Sequence, residues 1–351
     1  MTTEILSVKE LPVLEIAERA AAVLSSGGLS AFPTETVYGL GGNGLSADSA
    51  AKIYAAKGRP SDNPLILHIG RKEQLPELVT EIPEKAQILI DHFWPGPLTI
   101  IFNKSDIVPL RTSGGLSTVA VRMPSHPVAN AILRAVPFPV AAPSANLSGR
   151  PSTTKASHVI EDLFGRVEQI IDGGDVPIGV ESTIIDLSRR EPVLLRYGYV
   201  TLEEMEELIG PVSVDPAIRA ENIISHSVSV KHPKAPGMKY RHYAPKSPVF
   251  IVSGTEDDII LAIKRKAGKR TGILTYDEHM DCFPEGFPVS VGSIRNPEEA
   301  AHRLFDALRQ FDTLPVDLIY AEDMSAHDIG GAIMNRLLKA AGGNLVRADK
   351  L

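Results

Sequence analysis

Cysteine is almost absent from this 351-residue chain, in which Cys282 is the single example. One thiol excludes a disulfide framework and any zinc site built from several cysteines, and it is typical of a reducing compartment. We therefore expect a cytoplasmic location. Because Cys282 lies far along the chain from the polar motifs described below, we interpret it as a packing residue.

Long hydrophobic runs are also missing. The apolar stretches are too short to span a bilayer, and the opening MTTEILSVKELP has no basic region followed by an apolar segment. We therefore expect neither a membrane span nor a signal peptide. Hydrophobic residues make up 43% and charged residues 23% of the chain, which is ordinary for a folded protein long enough for two domains.

An excess of positive charge and the common nucleotide and metal motifs are absent as well. The net charge of −7 argues against general binding to nucleic acids or membrane surfaces. There is no Walker loop, no H-E-x-x-H motif and no Cys/His ligand spacing, so we expect no metal held by the protein itself. Gly39, Gly41, Gly42 and Gly44 contain a G-x-G-x-x-G pattern, but PTETVY separates it from the preceding strand. We interpret these glycines as a turn.

The most informative stretch runs from Leu29 to Ile69. Its pattern predicts a strand, the glycine-rich turn, a helix capped by Ser46 or Asp48 and ended by Gly58, and a second strand. Two cations, an amide and an imidazole follow one another where the helix ends and the next strand begins, which predicts an anion site: Lys57, Arg59, Asn63 and His68. Each of them alone also fits a structural role, such as a favourable interaction with the helix dipole or a core histidine.

Arg122 lies inside the otherwise apolar strand Thr118–Met123. Burying an arginine without an anionic partner is costly, so we expect it to face a carboxylate of the protein or of a ligand. Ser144 and Asn146 follow a strand and offer a hydroxyl and an amide to a ligand, or else form a local turn. Arg196 ends a strand and predicts an anion contact or a surface salt bridge.

Strands and helices alternate up to about residue 212 and again from residue 247. The intervening segment is rich in proline and ends in the basic sequence VKHPKAPGMKYRHYAPK. Its composition favours a solvated tether over a segment that lies on a bound polyanion. We therefore predict a catalytic domain over 1–212, a linker over 213–246 and a smaller α/β domain over 247–351.

Several motifs together resemble the YrdC-like family in its two-domain form, the threonylcarbamoyl-AMP synthases. The resemblance covers nearly the whole chain and depends on these segments: PTETVYGLG, KGRP with NPL and a following histidine, VAVRMP, APSAN-SG, EST, LRYG and the linker signature APGMKYRHYAP. It implies a twisted mixed sheet with flanking helices, a long linker that closes over the active site and a Rossmann-like C-terminal domain.

The resemblance also implies an activity, that of a nucleotidyltransferase. Members of the family make threonylcarbamoyl-AMP from L-threonine, bicarbonate and ATP with release of pyrophosphate. Their product supplies a tRNA threonylcarbamoyl transferase that modifies adenosine at position 37 of tRNAs reading ANN codons. We expect Mg²⁺ to be bound mainly through the triphosphate, and a weak or indirect RNA contact remains open.

By resemblance, the site residues divide into two sets, with Lys57 and Arg59 as the predicted catalytic residues. The first set would hold threonine: Thr36, His68, Arg122, Ala142 through its backbone, and Ser182. The second set would hold ATP: Lys57, Arg59, Asn63, Thr118, Ser144, Asn146, Ser152, Arg196 and His232.

Two other functions remain to be weighed. A double-stranded-RNA-binding module is one, and the negative net charge argues against it because RNA affinity depends on phosphate neutralisation. A hydrogenase-maturation carbamoyltransferase with a YrdC-like domain is the other, and its cysteine-rich zinc motifs do not fit a chain with one cysteine.

Overall fold

The computed structural model describes residues 2–226, 233–236, 238, 242–325 and 329–351. Within these residues the strands form two separate sheets, one of eleven strands and one of five. Helices flank both sheets, so the predicted α/β class with a large first domain and a smaller second one is confirmed. None of the helices in the described ranges is both long and apolar enough to cross a membrane.

The first sheet is mixed, with the strand order β1-β8-β2-β3-β7-β4-β6-β5-β9-β10-β11. Its strands are β1 (Glu4–Ser7), β2 (Ser30–Pro33), β3 (Tyr38–Asn43), β4 (Ile66–His68), β5 (Leu98–Asn103), β6 (Thr118–Arg122), β7 (Val140–Ala141), β8 (Gln169–Asp172), β9 (Thr183–Asp186), β10 (Val193–Arg196) and β11 (Ser213–Val214). Its helices are α1 (Val13–Ser25), α2 (Ala47–Lys57), α3 (Leu75–Leu78), α4 (Glu84–Phe93), α5 (Pro127–Ala135), α6 (Ala156–Leu163), α7 (Leu202–Ile209) and α8 (Ala220–Ser225).

Helix α2 illustrates how local chemistry fixes the elements around the site. The Ser46 side chain accepts a hydrogen bond from the Ser49 N–H, which satisfies one donor of the first turn. Gly58 ends the helix in the left-handed conformation, with φ of 61°, which glycine adopts without steric cost. The helix therefore ends at Lys57 and turns the chain directly towards β4.

The interpretation of the Gly39 to Gly44 segment as a turn is wrong, because most of it is the buried strand β3, paired antiparallel with β2. A Cβ on Gly41 would lie 2.6 Å from the Phe32 ring, and one on Gly44 would lie 2.4 Å from Leu67. The glycines there permit close packing of neighbouring chains. The glycine-rich composition suggested a loop, but glycine is needed here because a larger side chain would not fit between the neighbouring chains.

The second sheet is entirely parallel, with the order β14-β13-β15-β12-β16. Its elements are β12 (Val249–Ser253), α9 (Glu256–Lys266), β13 (Thr271–Thr275), β14 (Phe287–Ser290), α10 (Pro297–Gln310), β15 (Leu318–Glu322), α11 (Gly330–Ala340) and β16 (Leu345–Arg347). The predicted alternation of strands and helices is present here, and β16 is an additional edge strand.

The two domains share a packed interface. The apolar core of the second domain, built around Leu304, Phe305 and Leu337, also takes in Val37 and Val180 of the first domain. At Gly179 the two backbones are so close that a Cβ would lie 2.4 Å from the Cα of His302 in α10. The second domain therefore packs directly against loop segments of the first domain.

The predicted linker begins with ordered structure. Strand β11 pairs with β10 just past residue 212, and α8 packs against α11 of the second domain. Farther along, Ala235 is fully buried against Ile66 and Ala120, on the face of the first sheet. The boundaries at 212 and 246 stay predictions.

Candidate active site

A cleft opens on the first domain where β3, β4, β6 and β10 meet the end of α2, and it encloses about 690 Å³ including space open to solvent. Ten of the predicted site residues line it: Thr36, Lys57, Arg59, His68, Arg122, Ala142, Ser144, Asn146, Ser182 and Arg196.

Three other predicted residues, Asn63, Thr118 and Ser152, do not line the cleft. Asn63 is buried beside Arg59, and Ser152 is buried behind the wall of the cleft. Thr118 lies at the opposite end of β6 from Arg122, about 13 Å along the strand. His232 lies outside the described residues.

Arg122 has a protein carboxylate as its partner. Its Nη2 donates to Glu35 Oε1 at 2.6 Å, its Nη1 to Thr36 Oγ1 at 2.9 Å and its Nε to the Gly96 carbonyl at 3.2 Å. Burial by itself raises the pKa of Glu35, but the charge and hydrogen bond of Arg122 outweigh burial and hold that pKa below its usual range. Since a guanidinium has five N–H donors, these contacts leave two for a ligand.

His68 lies next to Arg122, with which it is in register across β4 and β6. Burial, and then the charge of Arg122, lower the pKa of His68 to about 3, so the ring is neutral near pH 7. Its Nδ1 is 3.2 Å from the Ile66 carbonyl oxygen, to which a neutral ring can donate. The other ring nitrogen is then an acceptor.

Lys57 belongs to a second group of residues that line the cleft. The side chain is buried, and its Nζ donates to the carbonyl oxygens of Ser144 and Asn146. Burial, and after it the charge of Arg59, hold the pKa of Lys57 well below its usual range. The Ser144 hydroxyl donates to Asn146 Oδ1 at 2.5 Å, so the polar loop after β7 is organised around this lysine.

Arg196 and Ser182 form a second cationic wall. Arg196 Nε donates to the Ser182 carbonyl at 2.9 Å, and Nη2 donates to Ser182 Oγ at 3.0 Å. Burial lowers the pKa of Arg196 to about 10, which leaves it charged near neutrality. Glu181, which directly precedes Ser182 in the chain, also lines the cleft and accepts a hydrogen bond from Ser152 Oγ at 2.5 Å.

Three described residues of the predicted linker also line the cleft: Pro236, His242 and Tyr243. Burial, and then the charge of Arg59, lower the pKa of His242 to about 3, and its Nε2 is buried without a partner among the described residues. Tyr243 has a φ of 65°, which is uncommon for a residue other than glycine, and its ring packs 5.0 Å from the Phe305 ring of α10.

The residues that sequence analysis missed are mostly partners of the predicted ones. Glu35, Glu181 and His242 lie within motifs quoted above, but no role was assigned to them. Arg336 of α11 was not considered, although its Nε donates to Glu181 Oε2 at 3.0 Å. The rule that a buried cation needs an anion pointed to a carboxylate for Arg122 and could not say which one.

Two family models together cover most of the chain. One, named for Sua5, YciO and YrdC and described as telomere recombination, matches residues 22–198. The other, described as the C-terminal domain of threonylcarbamoyl-AMP synthase, matches residues 200–342. This chain belongs to the Sua5/YrdC family in its two-domain form.

Individual relatives agree with this assignment. The threonylcarbamoyl-AMP synthases of Pyrococcus abyssi and Bacillus subtilis are each 48% identical to this chain, over 93% and 94% of its length and 94% of theirs. The crystal structure of P. abyssi Sua5 complexed with L-threonine has a TM-score of 0.89 at 45% identity and covers 99% of both chains. The resemblance stated from the motifs is confirmed, and a double-stranded-RNA-binding module is not favoured.

Proposed function

We propose that this chain makes threonylcarbamoyl-AMP from L-threonine, bicarbonate and ATP in the cleft described above, with release of pyrophosphate. It is an enzyme of the nucleotidyltransferase type, as its family is. The observation that carries the residue roles is the grouping of the residues that line the cleft. Arg122 lies beside the neutral His68, whereas Lys57 is bonded to the loop of Ser144 and Asn146. We call these two groups the Arg122 end and the Lys57 end.

The Arg122 end suits threonine. Its two remaining N–H donors would meet the substrate carboxylate, which then faces the same guanidinium as Glu35. The Ala142 N–H already donates to the Ile66 carbonyl at 3.0 Å, so the Ala142 carbonyl is the group left to accept from the substrate. Thr36, Ser182 and the acceptor nitrogen of His68 would take the remaining polar groups of threonine.

The Lys57 end suits the triphosphate of ATP. Lys57, Arg59 and Arg196 would counter its charge, and the loop of Ser144 and Asn146 would contact the nucleotide. For Asn63, Thr118, Ser152 and His232 the ATP contact stays a prediction. An anion bound here would favour the charged form of Lys57, whose pKa is depressed while the cleft holds none.

Mg²⁺ fits this site as a companion of the nucleotide. Among the described residues no cluster of three histidine, cysteine, aspartate or glutamate side chains could hold a metal, and Glu181 in the cleft is already paired with Arg336. Phosphate oxygens and water would therefore supply its ligands. When bound, the ion would neutralise part of the triphosphate charge.

The chemistry then needs positioning and charge stabilisation rather than a protein nucleophile. The threonine amine attacks bicarbonate or CO₂ to form a carbamate, with water as the other product from bicarbonate. A carbamate oxygen attacks the α-phosphorus, and the bond from the α-phosphorus to the bridging oxygen breaks to release pyrophosphate. Arg122 fixes one reactant, and Lys57, Arg59 and Arg196 stabilise the charge that develops on the other.

Three further expectations belong to this proposal. The linker would cover the bound nucleotide, which is supported by Pro236, His242 and Tyr243 in the lining of the cleft. The product would pass to a tRNA threonylcarbamoyl transferase, by direct transfer or by diffusion. The cytoplasmic location stays a prediction from the near absence of cysteine.

The test is pyrophosphate release, measured with each amino acid in turn and with or without bicarbonate. We expect release to require ATP, threonine and bicarbonate together, and the adduct to appear as threonylcarbamoyl-AMP by mass spectrometry. Release that ignores the amino acid or bicarbonate would contradict the proposal. A steeply salt-dependent affinity for RNA without any release would favour the RNA-binding alternative.

A further inference from the structure

One arginine of the second domain is inserted into the first. Arg336 lies on α11, has no exposed surface and is among the largest fully buried side chains of the described chain. Its Nε donates to Glu181 Oε2 at 3.0 Å, and its other nitrogens donate to the backbone carbonyls of Tyr197 and Glu181. These three hydrogen bonds therefore reach two short segments of the first domain.

Both segments carry a residue of the cleft wall. Glu181 directly precedes Ser182, and Tyr197 directly follows Arg196. Ser182 and Arg196 are joined by two hydrogen bonds, so the segments form one unit. Arg336 thus holds the back of the wall whose front offers a hydroxyl and a guanidinium to the cleft.

The two segments also touch through their backbones. A Cβ on Gly198 would lie 2.2 Å from the Thr183 nitrogen and 2.7 Å from the Glu181 carbonyl oxygen. Glycine is required at 198 because nothing larger fits between these chains. The EST and LRYG motifs are therefore two halves of one wall.

Glu181 needs the cation behind it. Burial by itself raises the pKa of Glu181, but the charges of Arg336 and then Arg196 outweigh burial and hold that pKa below its usual range. Without Arg336, Arg196 would be the arginine left to balance this carboxylate. We expect its guanidinium to turn towards Glu181 and away from a ligand.

Lys339, three residues along α11 and on the same face as Arg336, supports this geometry. Burial, followed by the charges of Arg336 and Arg196, lowers the pKa of Lys339 to about 7. The face of α11 that carries these two residues is therefore close to the cleft wall.

Domain docking does not depend on Arg336 alone. Arg309 of α10 bonds to Asp162 at 2.8 Å, and Asp306 bonds to Lys155 and His158 at 3.0 Å each. Val37 and Val180 add apolar contacts to the second core. The loss of one buried arginine therefore leaves several interdomain contacts, and its effect on the cleft can be measured separately.

We propose that Arg336 is a positioning residue for the synthase reaction, which acts through Glu181 and the Tyr197 carbonyl to set the places of Ser182 and Arg196. The second domain thereby builds one wall of the active site. This inference depends on the proposed roles of Ser182 and Arg196.

The experiment compares full-length Arg336→Met and Arg336→Lys with the wild type. We expect Arg336→Met to lower kcat/KM for both threonine and ATP by at least ~10-fold, as for a lost charge-assisted contact. Lysine should restore part of this loss, since it returns the charge without the fork-shaped geometry. Arg336→Met activity within twofold of the wild type would overturn the proposal.

The matched control is Asp306→Asn, which removes the charge from two interdomain contacts away from the cleft. We expect its kcat/KM to stay within twofold of the wild type. If Asp306→Asn lost as much activity as Arg336→Met, weakened docking would explain both and the proposal would fall.

A second measurement covers the case in which Arg336→Met folds poorly. The pair Glu181→Gln and Glu181→Gln/Arg336→Met carries no unpaired carboxylate at this place. If Arg336 acts largely through Glu181, adding Arg336→Met to Glu181→Gln should cost clearly less kcat/KM than Arg336→Met costs in the wild type, since the contacts of Arg336 with backbone carbonyls are then what is lost. A further loss in the double variant as large as that of Arg336→Met alone would refute the route through Glu181.

Guanidinium chloride at millimolar concentration should restore part of the activity of Arg336→Ala, and an absence of any restoration in a folded variant would count against positioning.

If the wild type itself released no threonine-dependent pyrophosphate, the proposed function would fail. Calorimetric titration of threonine and ATP on the same variants would then still decide whether Arg336 shapes the cleft.

Discussion

Polar groups at the edge of the second sheet and polar groups in the first-domain cleft differ in how fully they are paired. At the carboxyl ends of the second sheet, a common place for ligands in parallel α/β folds, His279 bonds to Glu322 at 2.9 Å and to Glu256 at 3.1 Å, while Thr275 bonds to the other oxygen of Glu322. In the first-domain cleft, by contrast, the buried Nε2 of His242 has no partner among the described residues.

The difference shows why fold alone does not place the site. The parallel sheet has the architecture that often binds nucleotides, but its own side chains use the hydrogen-bonding capacity at that edge. In the cleft of the mixed sheet, the described contacts of Arg122 leave two N–H donors for a ligand. The His68 imidazole there is neutral, and the pKa of Lys57 is lowered. Unfilled bonding capacity, rather than the type of sheet, marks the place where ligands are expected.

The largest expected effect is on kcat/KM for different amino acids. A cleft whose buried polar groups await the threonine hydroxyl should reject valine by about 10⁴-fold or more in kcat/KM, because those groups would stay unpaired. Serine lacks only a methyl group and should lose ~1–3 kcal/mol. Pyrophosphate release with the three amino acids measures this, and valine that performs as well as serine would mean that the hydroxyl is not bound.

The next largest effect is expected for Arg122→Ala, on threonine binding. We expect the threonine concentration for half-saturation to rise at least ~10-fold, because a charge-assisted pair to the carboxylate is lost. Arg270→Ala is the control, since Arg270 pairs with Asp317 on the exposed surface of the second domain, and it should have no effect.

Arg122→Ala leaves Glu35 as a buried carboxylate without its cation, so the double variant with Glu35→Gln should be made alongside it. Unchanged threonine saturation in either variant, with its fold verified by circular dichroism, would remove Arg122 from the carboxylate site.

Much of this arrangement could be predicted from sequence, since its causes are local. The capped helix α2, the strand that carries Arg122 and the alternating elements of the second domain follow from periodicity, caps and breakers. Strand β3 was missed because its glycines serve contacts with Phe32 and Leu67, which no local pattern reports.

The ionic partners were missed for a similar reason. Glu35 and Arg122 are 87 residues apart, and Glu181 and Arg336 are 155 residues apart. A single sequence shows that a buried arginine needs an anion, but the fold decides which carboxylate reaches it. The role of the second domain in the cleft could therefore be inferred only from the structure.

A smaller effect concerns the lysine charge. The pKa of Lys57 is depressed in the cleft, so binding of an anion should be coupled to proton uptake, and ATP affinity should fall as pH rises. One such group changes affinity by at most ~10-fold per pH unit. Calorimetry between pH ~7.5 and ~9.5, below the ordinary lysine pKa, measures the uptake in buffers of different ionisation enthalpy.

The control is Lys57→Arg, which stays charged throughout this range and should take up no proton at this position. Equal proton uptake in Lys57→Arg and the wild type would show that the lysine is already charged in the free cleft.

The smallest expected effect on activity is that of His279→Gln in the second domain, which should leave kcat/KM unchanged. Burial by itself lowers the pKa of His279, but Glu322 and Glu256 outweigh it and raise that pKa. Burial also raises the pKa of Glu322. These two groups therefore hold their protons more tightly in the folded domain than in the unfolded chain.

It follows that the stabilising contribution of His279 is fully present below its unfolded pKa of about 6.5 and is lost as pH rises through the raised folded value. Thermal unfolding between pH ~5 and ~8 should show this decline in the wild type and a weaker one in His279→Gln. A large loss of activity in this variant would place function in the second sheet and break the comparison.

The most direct measurement is a crystal structure with L-threonine and the α,β-methylene analogue of ATP bound together, since that analogue resists cleavage at the α-phosphorus. We predict the threonine carboxylate on Arg122 and the triphosphate against Lys57, Arg59 and Arg196 in the first-domain cleft. Nucleotide density at the carboxyl ends of the second sheet, around His279 and Glu322, would contradict the account.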